Sequence, residues 1–261
     1  MASRQQGSSK PAPSGYLSPV APRVFAHRGL ALGAPENTLL AFAPAVAAGA
    51  QYIETDVHAS ADGASVVAHD ADLKRVANRD VRVEQLELPE LRRIDLGHGQ
   101  GFCTLAEALD GFPDTRFNID IKSKAAVEPT VRAIRDLRAV DRVLVSSFDE
   151  GRRAAAIRAL PGVVSSASAR RFAIALLAGK VGLSPVVRAA LQGLVAVQVP
   201  ERALGLRITT ERMLARLHDA GVEVHVWTVN DPVRMRELLH LGVDGIVTDR
   251  ADLALEVVRT L

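Results

Sequence analysis

Short apolar runs rich in β-branched residues alternate along the chain with Ala-, Leu- and Arg-rich stretches of helical periodicity. The strand-like runs begin near Val24 (VFAH), Tyr52 (YIETDV), Arg116 (RFNIDIK), Arg142 (RVLVSSF), Val163 (VVSSAS), Leu194 (LVAVQV), Glu223 (EVHVWTV) and Gly245 (GIVT). Helical intervals separate most of them. Thr38–Ala48 follows the capping candidates Asn37 and Thr38 and stops at Gly49. Val127–Leu137, Glu211–Ala220 and Met235–Leu241 follow the same rule, the last two ending before Gly221 and Gly242. Eight strand–helix units in 261 residues suit a single α/β domain, a TIM (β/α)8 barrel, which typically takes about 250 residues. A doubly wound open sheet is the structural alternative. It would normally carry a GxGxxG turn after its first strand, and that fingerprint is absent.

One stretch breaks the alternation. After Val57, an Asp62-Gly63 turn leads into SVVAHD, and Asp-Gly between β-prone runs signals a hairpin. A hairpin reverses direction, so SVVAHD is expected to fold back on the second strand and return His69 to its C-terminal end. Residues 71–115 then read as a mostly helical insertion after the second strand. Residues 1–22, rich in Ser, Pro and Gly, read as a flexible arm before a domain spanning 23–261.

Composition narrows the function classes. With 32 basic and 30 acidic residues the formal charge is only +2, and aromatics make up 4%. Neither suits a nucleic-acid surface. The single cysteine, Cys103, excludes an internal disulfide framework and a four-cysteine zinc site. No signal-like apolar run or spanning segment is seen, so a cytoplasmic location is expected.

In a barrel, catalytic groups gather at the C-terminal strand ends. His27 and Arg28 end the first strand. Glu54 and Asp56 lie two apart on the second and share a face. Asp120 and Lys122 repeat that spacing on another strand, and His69 ends the hairpin. Three carboxylates on one rim would repel unless a cation joined them, and oxygen-only ligands suit Mg²⁺ or Ca²⁺. The alternative is that Glu54 and Asp56 form structural salt bridges with strand-end bases. His27 and His69 are candidates for an acid/base pair. The other histidines (58, 98, 218, 225 and 240) read as structural. Arg28 and Lys122 suit an anionic substrate, or else are solvated surface charges.

The ordered series Ala26-His27-Arg28-Gly29, Pro35-Glu36-Asn37-Thr38, Ile53-Glu54, Asp56-Val57, Asp62-Gly63 and His69-Asp70 spans about 45 residues and resembles the glycerophosphodiester phosphodiesterase family. The resemblance resumes at Asn118–Lys122, Ser147-Phe148, Trp227–Asn230 and Gly242–Asp249, and so covers roughly Val24 to Val258. It implies a TIM barrel with an insertion after the second strand. It also implies metal-dependent hydrolysis of a glycerophosphodiester to glycerol 3-phosphate and an alcohol. His27 and His69 would be the catalytic pair and Glu54 and Asp56 metal ligands, with Arg28 and Lys122 as phosphate contacts and Trp227 as a wall of the substrate pocket. The family's third metal ligand is usually Glu in a Glu-x-Lys strand. Asp120 stands there instead, one methylene shorter. Lysophospholipase D activity at the same site is a second enzymatic reading. It draws on Ala169–Arg188, where apolar residues mix with Arg170, Arg171, Lys180 and Arg188, in either a membrane-facing or substrate-covering loop that touches a membrane surface weakly or, more simply, a barrel helix with solvated ends. A barrel that binds phosphate ligands without turnover is a third.

Overall fold

A computed structural model describes residues 15–18 and 20–261. All eight expected strands form: β1 (Arg23–His27), β2 (Tyr52–Ala59), β3 (Arg116–Ile121), β4 (Val143–Ser146), β5 (Val164–Ser165), β6 (Ala196–Val199), β7 (Glu223–Val226) and β8 (Gly245–Thr248). Every neighbouring pair is parallel, running from β5 back through β1 to β8, β7 and β6. A parallel bridge between Ser166 and Ala196 joins β5 to β6 and closes the ring. The closed TIM barrel, not an open sheet, is therefore the fold.

The sequence explains the alternation. Barrel strands are covered by helices outside and by each other inside, so they read as near-continuous apolar runs. Outward residues of β2 and β3, Ile53, Val57, Phe117 and Ile119, join one fully buried layer beneath the helices. Inward residues Phe25, Tyr52, Leu144, Ala196 and Val247 fill the barrel axis. The interior is tight: a Cβ on Gly245 would stand 2.8 Å from both Phe25 and His225, so only glycine fits there. The helices begin where the caps predict. Thr38 accepts a hydrogen bond from the Ala41 amide at the start of Leu39–Ala47, and Thr104 with Glu107 forms a reciprocal capping box for Leu105–Gly111.

The hairpin is also present. Ser65–Val67 pairs antiparallel with the end of β2, Val57 opposite Val67, and the Ala68 amide donates to Asp56 O. This delivers His69 to the level of Asp56. The segment beyond it carries short helices at Lys74–Ala77 and Leu88–Arg92 and packs Leu73, Val83, Leu91, Ile94 and Phe102 into a small satellite core. A two-stranded ribbon (Arg202–Ala203 with Leu206–Arg207), turning at Leu204-Gly205, was not anticipated, whereas 169–188 follows its helical reading rather than the loop: it holds the helix Ala169–Lys180 and most of a second, Ser184–Leu191. Among the described residues no helix is long and apolar enough to cross a membrane.

Much of the expected arm, residues 1–14 and 19, lies outside the described residues. The rest of it is not all loose. Gly15–Leu17 makes a short 3-10 turn with Tyr16 fully buried, so ordered packing begins before Arg23. The Tyr16 ring packs edge-on against Tyr52, and Tyr52 donates its hydroxyl hydrogen to Tyr16 O. Here, at the N-terminal end of the barrel, Arg23 grips Glu223 through two 2.7 Å bonds and also donates to Tyr52 Oη. His225 Nε2 adds a bond to Glu223 at 3.0 Å. Burial by itself would raise the Glu223 carboxyl, but the bonds from Arg23 and His225 outweigh it and hold the group down to about 2. A depressed carboxylate stabilises the fold above its unfolded value of 4.5, and that contribution disappears as pH falls toward 2. It amounts to on the order of 3 kcal/mol. Glu223→Gln should lower the urea midpoint at neutral pH and make the loss of stability below pH 4.5 shallower. An unchanged acid slope in the variant would show that the network does not carry that dependence.

Candidate active site

The barrel register assembles the site. β1 pairs with β2 so that His27 lies beside Glu54, and β2 pairs with β3 so that Glu54 lies beside Asn118 and Asp56 beside Asp120. All of these face inward, at the C-terminal end, around a cavity of about 480 Å³ that also admits Arg28, His69, Lys122, Phe148 and Trp227. Every site residue expected from the sequence therefore lines one cavity.

Local backbone sets the angles. Arg28 (φ 58°) and Gly29 (φ 90°) both adopt left-handed conformations after β1. A Cβ on Gly29 would stand 2.6 Å from Ala41 O, so the close approach of helix Leu39–Ala47 requires glycine. The turn puts the Arg28 guanidinium over the carboxylates. Its Nε lies 3.3 Å from Asp56 Oδ2, attractive in charge although not aligned as a hydrogen bond, and its Nη1 donates to Glu36 Oε1 at 2.9 Å. Asn37, also left-handed, donates to Asp56 Oδ2 and accepts from Thr55 Oγ1, tying the loop to β2.

The carboxylates are buried and share too little countercharge. Lys122 Nζ bridges Asp56 Oδ1 at 2.8 Å and Asp120 Oδ2 at 2.7 Å. Burial opposes that ammonium, but the two carboxylates outweigh it and raise its pKa. Burial raises Asp120 in turn, with Lys122 opposing the shift. Glu54 is pushed up to about 8, by burial first and by Asp56 second. The expected trio of carboxylates is present, but not as a ring closed on a single point. As the side chains stand, no three Asp, Glu, His or Cys groups among the described residues form a metal-holding cluster, and the Lys122 ammonium occupies the gap between Asp56 and Asp120. Three buried oxygens of the cavity have no hydrogen-bond partner among the described residues: Glu54 Oε2, Asn118 Oδ1 and Asp120 Oδ1. Hard oxygen donors left unsatisfied beside a carboxyl that resists ionising are a chemical fit for a divalent cation.

Each imidazole is held by its own carboxylate. His27 Nδ1 donates to Asp249 Oδ1 at 2.6 Å, and Asn230 fixes the other Asp249 oxygen at 2.7 Å. His69 Nδ1 donates to Asp70 Oδ1 at 2.7 Å. Asp70 accepts from Arg75, Arg75 reaches Glu36, and Glu36 returns to Arg28, so a chain of ion pairs links the second histidine to the arginine. With both Nδ1 atoms occupied, Nε2 is the nitrogen each ring has free for chemistry. Asp249, Asp70, Glu36 and Arg75 are not singled out for these roles by their place in the sequence. Asp70 carried a signal, because it follows His69 directly. Asp249 lies 222 residues from His27, and only closure of β1 against β8 brings them together. Of the other histidines, His58 bonds to the His69 carbonyl, His225 to Glu223 and His218 to Asp244.

Trp227 stands half-buried at the cavity wall, its ring 6.2 Å and edge-on from the exposed Phe148, whose face receives Lys122 Nζ at 5.8 Å. Lys122 is itself anchored through its carbonyl by Arg152.

Residues 27–253 match the glycerophosphoryl diester phosphodiesterase family, and the chain belongs to that family. It is 40% identical over 235 residues to a Mycobacterium tuberculosis protein named "Probable glycerophosphodiester phosphodiesterase 2", covering 89% of each chain. It is 32% identical to the glycerophosphodiester phosphodiesterase of Bacillus altitudinis, covering 90% of this chain and 97% of the relative. An Oleispira antarctica phosphodiesterase, solved in complex with the product sn-glycerol-3-phosphate, shares the fold at a TM-score of 0.77 and 22% identity, over 92% of this chain and 97% of that one. The chain is accordingly a phosphoric diester hydrolase, a glycerophosphodiester phosphodiesterase.

The geometry around His27 makes a direct prediction. Burial lowers the tendency of His27 to protonate, but the Asp249 hydrogen bond and then the Glu54 charge outweigh it and raise its pKa. Asp249→Asn keeps the shape and removes the charge, so the His27 titration followed by NMR should move to lower pH. A titration that stays in place would show that Asp249 does not hold the ring.

Proposed function

We propose that the enzyme hydrolyses glycerophosphodiesters to glycerol 3-phosphate and an alcohol, with His27 and His69 as the acid/base pair and a divalent cation, Mg²⁺ or Ca²⁺, held by Glu54, Asp56 and Asp120. The observation that carries this reading is the pairing of two carboxylate-held imidazoles with a floor of buried, partly unsatisfied oxygens in one cavity. The product named for the Oleispira antarctica protein supports the choice of substrate. The family is generally divalent-metal dependent, which supports the cation.

The chain's own groups divide the work. Arg28 lies at the cavity rim, where its guanidinium would bind a phosphate oxygen and orient the diester. His69 Nε2 would take the proton from the glycerol 2-hydroxyl, whose oxygen attacks phosphorus. His27, with its raised pKa, would start as imidazolium and protonate the leaving alkoxide. A cyclic glycerol phosphate results, and water opens it with the two roles exchanged. When bound, the cation would supply charge neutralisation at the phosphodiester oxygens. Glu54 and Asp120 would hold it through the oxygens that have no other partner, and Lys122 would keep Asp56 and Asp120 in place or turn toward phosphate. Trp227 and Phe148 would wall off the substrate.

His27→Ala and His69→Ala should each lower turnover of glycerophosphocholine by roughly 10²–10⁴-fold, with an unchanged circular dichroism spectrum. Either variant running near the parental rate would remove that residue from the pair. On the same scheme a 2-deoxy substrate is hydrolysed at a small fraction of the normal rate, and undiminished turnover rules out the cyclic route. Chelation should abolish activity, and Mg²⁺ or Ca²⁺ should restore it. Glu54→Gln should weaken cation binding, measured by calorimetry, by on the order of tenfold or more. Activity that survives exhaustive chelation would end the metal assignment.

A further inference from the structure

The insertion after the second strand reaches back to the catalytic groups through one side chain. Arg75 lies on its first short helix, Lys74–Ala77, and does not line the catalytic cavity. Its Nε donates to Asp70 Oδ2 at 2.6 Å and its Nη2 to Glu36 Oε1 at 2.6 Å. The same two carboxylates hold a histidine and an arginine of the site. Asp70 Oδ1 accepts from His69 Nδ1 at 2.7 Å, and Glu36 Oε1 accepts from Arg28 Nη1 at 2.9 Å. Glu36 belongs to the loop after β1 and Asp70 to the end of the hairpin, so the chain alone does not fix one against the other. Among the described residues, Arg75 is the only Lys or Arg that pairs with Asp70, and Glu36 pairs with Arg75 and Arg28 alone.

The bridge suits a guanidinium in particular. Nε–H and Nη2–H leave one edge of a planar group in fixed, nearly parallel directions. Two separate carboxylates bound to that edge stand side by side, where like charges would otherwise part. Arg75 is 49% exposed, and exposed ion pairs contribute little to stability. The insertion also has its own core, of Leu73, Val83, Leu91, Ile94 and Phe102, to keep it folded. What Arg75 adds is placement. Through Asp70 it steadies the ring whose Nε2 is free for chemistry, and through Glu36 it steadies the guanidinium at the cavity rim.

We propose that Arg75 is a positioning residue that sets His69 and Arg28 against each other from outside the catalytic cavity. The inference rests on the roles proposed above for those two residues. Arg75→Ala and Arg75→Met should each lower kcat/KM for glycerophosphocholine by roughly ten- to a hundredfold, with kcat falling and KM rising together. The His69 Nδ1 proton, assigned in NMR spectra by its loss in His69→Ala, should be seen in the parental protein and broaden away in both variants. A second cavity of about 200 Å³, lined by Glu36, His69, Asp70 and Arg75 among others, adjoins the bridge and gives a free guanidinium ion a route to the space that Arg75→Ala opens. Guanidinium chloride at a non-denaturing concentration should therefore restore both the rate and the proton signal in Arg75→Ala. NaCl at equal ionic strength should not, and Arg75→Met, whose side chain fills the space, should not respond. Circular dichroism checks that each variant folds, and a folding defect in one leaves the other to decide. Near-parental rates in the folded variants, or a proton signal unmoved in them, would overturn the positioning role. A loss of rate that guanidinium does not reverse in Arg75→Ala would also overturn it, since a merely structural role predicts that result. A parental chain that turns over no glycerophosphodiester would sink the hydrolytic reading, and the proton signal would still decide the bridge.

Discussion

The constraint on which the rest of the site depends is the placing of Glu54, Asp56 and Asp120 together out of water. Buried like charges cannot all ionise without compensation. Lys122 answers two of them and Arg28 leans on one, while Glu54, with His27 Nε2 at 3.9 Å, is pushed up to about 8 by burial first and by Asp56 second. Several neighbouring features serve that compensation. Arg152 holds the Lys122 carbonyl, Asn37 caps the second Asp56 oxygen, and Glu36 steadies Arg28 from the far side. The two left-handed residues at Arg28 and Gly29 are the backbone cost of bringing a guanidinium over the carboxylates.

The two ends of the barrel treat their charges differently. At the N-terminal end, Arg23, Glu223, Tyr52 and His225 bond to one another against Phe25, although the buried Tyr16 Oη beside them has no hydrogen-bond partner. At the C-terminal end β2 and β3 leave Glu54, Asn118 and Asp120 each with a buried oxygen that has no hydrogen-bond partner. Unsatisfied buried oxygens lower stability. They are tolerable where a ligand completes them, and the floor network offsets part of the deficit. The division of labour between stability below and chemistry above follows from strand direction in a parallel barrel.

Most of this was legible in the amino-acid order, for reasons that can be named. Parallel strands covered on both sides appear as apolar runs, so all eight could be found. The polar exceptions, Glu54, Asp56, Asp120 and Lys122, stood out because they interrupt such runs at a spacing of two. The Asp62-Gly63 turn announced the reversal that returns His69. What stayed hidden depends on distance in the chain. His27 and Asp249 meet only when β1 closes on β8, and Tyr16 meets Tyr52 only at the completed floor. The balance of charge was hidden as well. Lys122 reads in the sequence as a phosphate contact, and its ion pairs with two carboxylates are something only the β2–β3 register could show. The ribbon at Arg202–Arg207 gave little warning, because its strands are two residues each.

The same register bears on the departure from Glu at position 120. Asp120 lies beside Asp56, two residue pairs above the Glu54–Asn118 pair. A shorter side chain at the upper level draws its oxygens back toward the strand, where Lys122 on the same strand reaches them at 2.7 Å. A longer carboxylate would project past that ammonium toward the cavity axis. Glu54, with His27 Nε2 at 3.9 Å, faces the cavity with no hydrogen-bond partner on Oε2. Asn118, neutral and adjacent to Glu54, adds a donor oxygen without adding a fourth negative charge to a place that already holds three.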